Sequence, residues 1–327
     1  MWSFVFMNSE SVKKKIIFDT NVISYISKQN LENELLDICQ KANIEILLPL
    51  AILLELSKTA DETDRKKFLL FISNKSFIKL HTETYYEALE IKNVVEQFYP
   101  KYIINEFANS SISQYLENLQ EKYLTNCFKK NNELHNIAIS MQLPEQSVQL
   151  QIQRKNKENT SQYGINIEKD NLLDIKLPFF EGDVLEPWKQ DNICFFYNLY
   201  LTQYKEEGKG YRFFLDNMVD MTSLFSDKEK VQYFWKNNAS PDKLPRNWTR
   251  CMVRFLQQYK KIIASNPFDE MIASNLINVD FFYTTDKKYY DILEIIKRNI
   301  PKEIFFPTLK LLKPENIIFE IQNSLKT

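Results

Sequence analysis

Ile16-Ile17-Phe18-Asp19-Thr20-Asn21-Val22-Ile23 is the stretch on which the fold turns, because a short apolar run ends in an acid just where a helical pattern begins. The same order recurs on either side of it. Residues 14–98 alternate short apolar runs with helical patterns, and residues 279–320 again carry strand-like runs, Val279 to Tyr283 and Leu309 to Leu312. Such alternation implies an α/β fold with a mostly parallel central sheet. Ligands of such sheets bind outside the carboxyl ends of the strands.

That rule draws four acids together. Asp19 closes the run Ile16 to Phe18. Glu55 lies in Pro49-Leu50-Ala51-Ile52-Leu53-Leu54-Glu55-Leu56, a helix start after the strand Ile44 to Leu48, with Pro49 suited to the first turn. Asp286 ends Phe281-Phe282-Tyr283-Thr284-Thr285-Asp286, and Asp269 sits in the first turn of the helix leading to that strand. All four are expected to face one pocket.

Each acid also has a bland reading. Asp19 is suited to cap the helix after it. With Asn266 as cap and Pro267 at the first helical position, Asp269 falls where a capping-box acid belongs. Asp286 could start a turn before Lys287-Lys288. Glu55 differs, because Leu53, Leu54 and Leu56 surround it, and a buried carboxylate is costly unless a cation or hydrogen bonds compensate. Lys58, three residues on, is its structural partner. The ordered quartet, more than any single acid, points to a metal site. Glu270 and Asp280 are weaker substitutes: one points about 100° away on its helix, and the other lies inside a strand.

The chain of 327 residues is long enough for one elaborated domain or two small ones, with ample length for a core. Its 42 basic and 43 acidic side chains leave a net charge of −1, so any attraction to nucleic acid must come from local patches. Cys39, Cys127, Cys194 and Cys251 are widely spaced, and His81 and His135 are the two histidines, which argues against structural zinc and a disulfide framework. A reducing, cytoplasmic setting is expected. The apolar start, Met1 to Met7, has no basic leader, and no run approaches a membrane span.

Between about 100 and 265 the composition turns rich in Asn, Gln, Lys and aromatics, with apolar residues at helical spacing, as in Ile112, Tyr115, Leu116, Leu119 and Tyr123. This middle is expected to be α-helical, with a loop or linker over 143–178. The chain therefore divides into 12–98, a helical insertion at 99–263, and 264–327.

Asp19-Thr20-Asn21, the Glu inside an apolar helix, Asp269-x-x-Ile272-Ala273 and Thr284-Thr285-Asp286 together resemble, in order and spacing, the motifs of PIN-domain nucleases. The tail Leu311-Leu312-Lys313-Pro314-Glu315-Asn316 is similar to the last strand and Pro-Glu turn that often close that fold. The resemblance covers about 16–98 and 264–320. It implies a three-layer PIN-like fold, here interrupted by a large α-helical insertion absent from the compact form. It also implies a metal-dependent ribonuclease with Asp19, Glu55, Asp269 and Asp286 as catalytic metal ligands, and with Asn21 and Thr284 positioning the first and last of them. The setting could be a toxin, a phage-defence effector or an RNA-processing enzyme. Expected partners are single-stranded RNA and, in the first two cases, an antitoxin or defence-system protein; self-association is open.

The residue types suit that chemistry. Mg or Mn takes hard oxygen ligands and needs neither His nor Cys. Such a site can activate water and neutralise charge on the phosphorane-like transition state of phosphodiester hydrolysis. Clustered carboxylates repel one another without a cation, so metal binding should also stabilise the fold.

If 246–263 is helical, Arg246, Arg250, Arg254, Gln257 and Lys261 share one face, opposite Trp248, Met252, Phe255, Tyr259, Ile262 and Ile263. The stripe, about 22 Å long, could track a nucleic-acid backbone toward Asp269, so Arg246, Arg250, Arg254 and Lys261 are candidate substrate-binding residues. Its bland reading is a solvated helix face. Arg212, Asp216 and Asp220 read as a surface ion-pair ladder, and Lys13 to Lys15 as a strand-edge solubiliser.

There is no G-x-x-x-x-G-K loop, no G-x-G-x-x-G turn and no Gly-x-Ser-x-Gly elbow. One rival function is a phosphatase of the HAD type, whose chemistry wants a second acid two residues after the first, where Asn21 stands. Another is a catalytically silent module in which the acids are caps and the insertion binds nucleic acid or a protein partner.

Overall fold

The computed structural model describes residues 13–104, 108–119, 121, 126–140, 185–202, 209–257 and 266–325. Five strands, β1 (Lys14–Phe18), β2 (Ile44–Leu48), β3 (Phe77–Lys79), β4 (Phe281–Thr284) and β5 (Thr308–Leu311), form one sheet in the order β3-β2-β1-β4-β5. Every pairing in it is parallel. The strand positions agree with the apolar runs that mark them in the sequence. The expected mostly parallel α/β sheet is therefore present.

The interior strands are apolar because helices cover both faces of a parallel sheet. Ile16, Ile17, Phe18 and all of β4 are buried, while Lys14 and Lys15 mark the exposed start of β1. Helices α1 (Thr20–Lys28) and α2 (Glu32–Lys41) connect β1 to β2, and Asn43, at φ 52°, turns the chain tightly from α2 into β2. α3 (Leu50–Ser57) and α4 (Glu62–Ile72) lead to β3. α3 is apolar nearly all round, with Ala51, Ile52, Leu53, Leu54 and Leu56 buried, which makes it an internal helix and Glu55 the charged exception on it.

After β3, α5 (Glu83–Phe98) begins a helical stretch that contains α6 (Ala108–Leu119), α7 (131–140), α8 (Leu185–Leu201), α9 (Lys209–Met218), α10 (Met221–Leu224), α11 (Lys228–Tyr233) and α12 (Pro245–Gln257). α13 (Asn266–Ala273) returns the chain to β4, α14 (Lys287–Asn299) joins β4 to β5, and α15 (Ile317–Leu325) follows β5. One hydrophobic cluster runs from Ile16 and Phe282 in the sheet to Trp188, Phe196, Trp235 and Trp248 in the helical stretch. The helices between β3 and β4 thus extend the core of the sheet. The loop expected over 143–178 and the apolar start at Met1 to Met7 lie outside the described residues.

Among the described residues no helix is long and apolar enough to cross a membrane. The four cysteines are all free. His135 packs with Nδ1 2.8 Å from the Ser57 carbonyl oxygen, and Phe196, Phe282 and Tyr283 are buried in the core. Arg212 pairs with Asp216 at 2.9 Å, whereas Asp220 caps α10 through the Ser223 N–H, so the expected ladder stops after one rung.

Candidate functional site

The sheet order puts the topological switch between β1 and β4: the chain proceeds from β1 to β2 and β3 on one side, then crosses to β4 and β5 on the other. Ile16 pairs with both Ile46 and Phe281, so Phe18, Leu48 and Tyr283 end level with one another. The crevice beyond a switch point of this kind is the usual ligand site of an open α/β sheet. Asp19 leaves β1 there, its N–H donating to the Tyr283 carbonyl at 2.8 Å, and Asp286 follows β4 by two residues.

Hydrogen bonds join three of the acids into one chain. Thr20 Oγ1 donates to Glu55 Oε2 at 2.6 Å, and the Thr20 N–H donates to Asp19 Oδ1 at 2.8 Å. Thr284 Oγ1 donates to Asp19 Oδ2 at 2.6 Å while accepting the Asp286 N–H at 2.9 Å. Asp19 and Asp286 are also the N-caps of α1 and α14, and Asp286 Oδ1 accepts from the N–H groups of Lys288 and Tyr289. Capping and clustering are therefore compatible in the same side chains.

Asp269 enters from α13. Its Oδ2 accepts from Gln257 Nε2 at 3.1 Å, and its carbonyl accepts from the buried Tyr289 hydroxyl at 2.8 Å. Lys58 supplies positive charge, with Nζ 3.7 Å from Glu55 Oε1 and 4.6 Å from the centre of the Phe268 ring.

The electrostatics register the crowding. Burial and the Glu55 charge hold the Asp19 carboxyl up at about 7, against the hydrogen bonds from Thr284 and Thr20. Burial also raises Glu55, with Lys58 and Thr20 opposing it. Asp269 stands well above the usual carboxylate range, first through burial and then through the charges of Glu55, Asp19 and Asp286. Tyr289 feels all four acids and is likewise raised, mainly by burial. Among the described residues no three His, Cys, Asp or Glu side chains are set as a closed ion-binding group; the carboxylates face their hydroxyl and amide donors instead. The donor set is nonetheless hard oxygen throughout, which suits Mg or Mn.

The substitutes fall away. Glu270 is buried against Arg254, and Asp280 accepts from the Lys15 N–H at 2.7 Å, at the amino edge of the sheet opposite the acids. Asn21 is exposed, and no hydrogen bond joins it to the acids among the described residues. Thr20, its neighbour, makes the contacts expected of a positioning residue.

The cationic stripe is not an open ridge. Arg246 is 6% exposed, lies against Glu90 and donates to the Ser274 carbonyl at 2.9 Å. Arg250 grips Glu87 with two bonds, 2.7 and 2.9 Å, and Arg254 donates to Glu270 Oε2 at 2.8 Å. Arg246 and Arg250 are taken up by carboxylates of α5, while Arg254, paired with Glu270 of α13, keeps about a third of its side chain exposed. The physical reason is the packing of α12 against α5 and α13, which sets Glu90, Glu87 and Glu270 opposite Arg246, Arg250 and Arg254. Lys261 lies outside the described residues.

Fold and site together define a parallel α/β protein with an acidic cluster at its switch point. No family model, curated protein or solved structure matches the chain.

Proposed function

We propose that the protein is a Mg- or Mn-dependent nuclease of PIN type that hydrolyses phosphodiester bonds of single-stranded RNA. The observation that carries this reading is the hydrogen-bonded run Glu55–Thr20–Asp19–Thr284–Asp286 at the switch point. Caps alone would not need to be wired to one another or to Glu55. The resemblance of the motifs to PIN-domain nucleases supports the same conclusion and supplies RNA as the substrate.

Asp19, Glu55, Asp269 and Asp286 are the residues that would hold the ion. When bound, it would polarise water and offset charge on the phosphate. The protein's part is orientation. Thr284 fixes the Asp19 carboxylate, Thr20 fixes Glu55, the first turn of α14 fixes Asp286, and Gln257 with Tyr289 fixes Asp269. Lys58 offsets part of the negative charge before the ion arrives.

The test is incubation of the full chain and its Asp19→Asn variant with labelled single-stranded RNA and DNA, with Mn, Mg or chelator. Cleavage of RNA that is lost in the variant and in chelator is expected. A folded wild-type chain that binds no Mn in calorimetry and cuts neither polymer would remove the nuclease assignment.

A further inference from the structure

Gln257, the last described residue of α12, lays its side-chain amide on the Asp269 carboxylate. Nε2 donates to Asp269 Oδ2 at 3.1 Å and to the Asn266 carbonyl at 3.3 Å. Two acceptors on one side settle which way round the amide lies. Its oxygen is then left over: Gln257 is 4% exposed, and among the described residues Oε1 has no hydrogen-bond partner. A buried acceptor left without a donor is costly, and in a native protein it calls for an explanation.

The surroundings say what would satisfy it. The carboxylates gathered at this edge are acceptors when ionised, and an acceptor cannot serve another acceptor. A cation, or a water polarised by one, can serve both together. A neutral amide oxygen is also an ordinary member of the hard-oxygen sets that surround Mg, Mn and Ca.

We propose that Gln257 is part of the cation site: Nε2 orients Asp269, and Oε1 supplies a neutral oxygen to the hydrated divalent ion. This rests on the metal-site reading above. It also gives the helical stretch between β3 and β4 a function, since α12 closes a site whose other residues come from α3, α13 and the ends of β1 and β4. The amide acts through Asp269 and through the ion's hydration shell, which makes Gln257 a positioning residue.

Mn titration by calorimetry, and melting with and without Mn, on the full chain and on its Gln257→Met and Gln257→Glu variants test the assignment. Gln257→Met keeps the volume but removes both polar atoms, and is expected to weaken Mn binding tenfold or more, the usual effect of losing an outer-shell partner. Gln257→Glu sets another carboxylate against Asp269. It is expected to lower the metal-free melting temperature and to show a larger Mn-induced rise than wild type. A glutamine that only braces the fold would lower melting in both variants and leave Mn affinity and the Mn-induced rise as in wild type; that result overturns the proposal. Wild type that binds Mn together with Gln257→Met that binds it equally well overturns this inference alone. Wild type that takes up no Mn removes the metal site and this inference together.

Discussion

Thr284 and Asp19 are 265 positions apart in sequence, yet the threonine hydroxyl donates to Asp19 Oδ2 at 2.6 Å, and the same oxygen accepts the Asp286 N–H at 2.9 Å. One buried hydroxyl thus sets the acids that follow β1 and β4 relative to each other.

Thr284→Val keeps the shape of this side chain and deletes both bonds. The Asp286 N–H loses its acceptor and Asp19 loses a donor, at about 1–3 kcal/mol. We expect a lower melting temperature and Mn binding weakened by roughly tenfold or more, read by calorimetry. Thr284→Ser, which retains the hydroxyl, should recover most of the affinity. Equal Mn affinity in Thr284→Val and wild type would show that the hydroxyl is structural only.

Asp19 has a testable pH signature. Its carboxyl sits at about 7 in the folded chain, against 3.8 when unperturbed. The folded state therefore holds this proton more tightly than the unfolded state, and stability falls as pH rises through the window from about 4 to about 7. The full cost, on the order of 4 kcal/mol for this group, applies above it. Metal-free protein should melt higher near pH 5 than near pH 8, and saturating Mn should flatten that slope. Asp19→Asn should melt higher than wild type at pH 8 without metal and should not respond to Mn. Because burial also raises Glu83 to about 7 and Glu90 to about 8, the share due to Asp19 is the part of that slope which Asp19→Asn removes, and an equal slope in variant and wild type would contradict the raised Asp19 carboxyl.

Most of the sheet could be read from the sequence because its strands are short apolar runs bounded by helical patterns, and the acids because each follows such a run or starts a helix. Pairing across distance was harder to read. The arginines of α12 suggested a solvated or phosphate-facing stripe, since a helix read by itself shows its charges but not what faces them. Only the packing of α5 beside α12 brings Glu87 and Glu90 to Arg250 and Arg246. Thr20 is illegible for a related reason: a hydroxyl carries no chemical label in a sequence until its partner, here Glu55, is in place. Gln257 falls on the same helix face as the arginines, although its amide belongs to Asp269.

Lys58 partly neutralises the cluster, lying 3.7 Å from Glu55 and opposing the rise in both Glu55 and Asp269. Lys58→Met should destabilise the metal-free protein, because like charges in the crevice lose a counter-charge. The Mn-induced rise in melting temperature should exceed that of wild type, since the ion then relieves a larger repulsion. If lysine and ion act at independent places, the two effects will simply add.

Arg250 and Glu87 provide the contrast between a strut and a substrate contact. The Glu87 side chain is fully buried, with two bonds from Arg250 and others from the Tyr211 hydroxyl and the Asn247 amide. Arg250→Met leaves that carboxylate without its cation and should cost roughly 3–5 kcal/mol. Pairing it with Glu87→Gln removes the stranded charge, so the double variant should be more stable than Arg250→Met alone, giving a favourable coupling in a double-mutant cycle. RNA binding measured across a salt series decides the other half of the question. A strut leaves the slope of affinity against salt unchanged in the folded double variant, whereas an arginine that neutralises a phosphate would reduce that slope by close to one counterion.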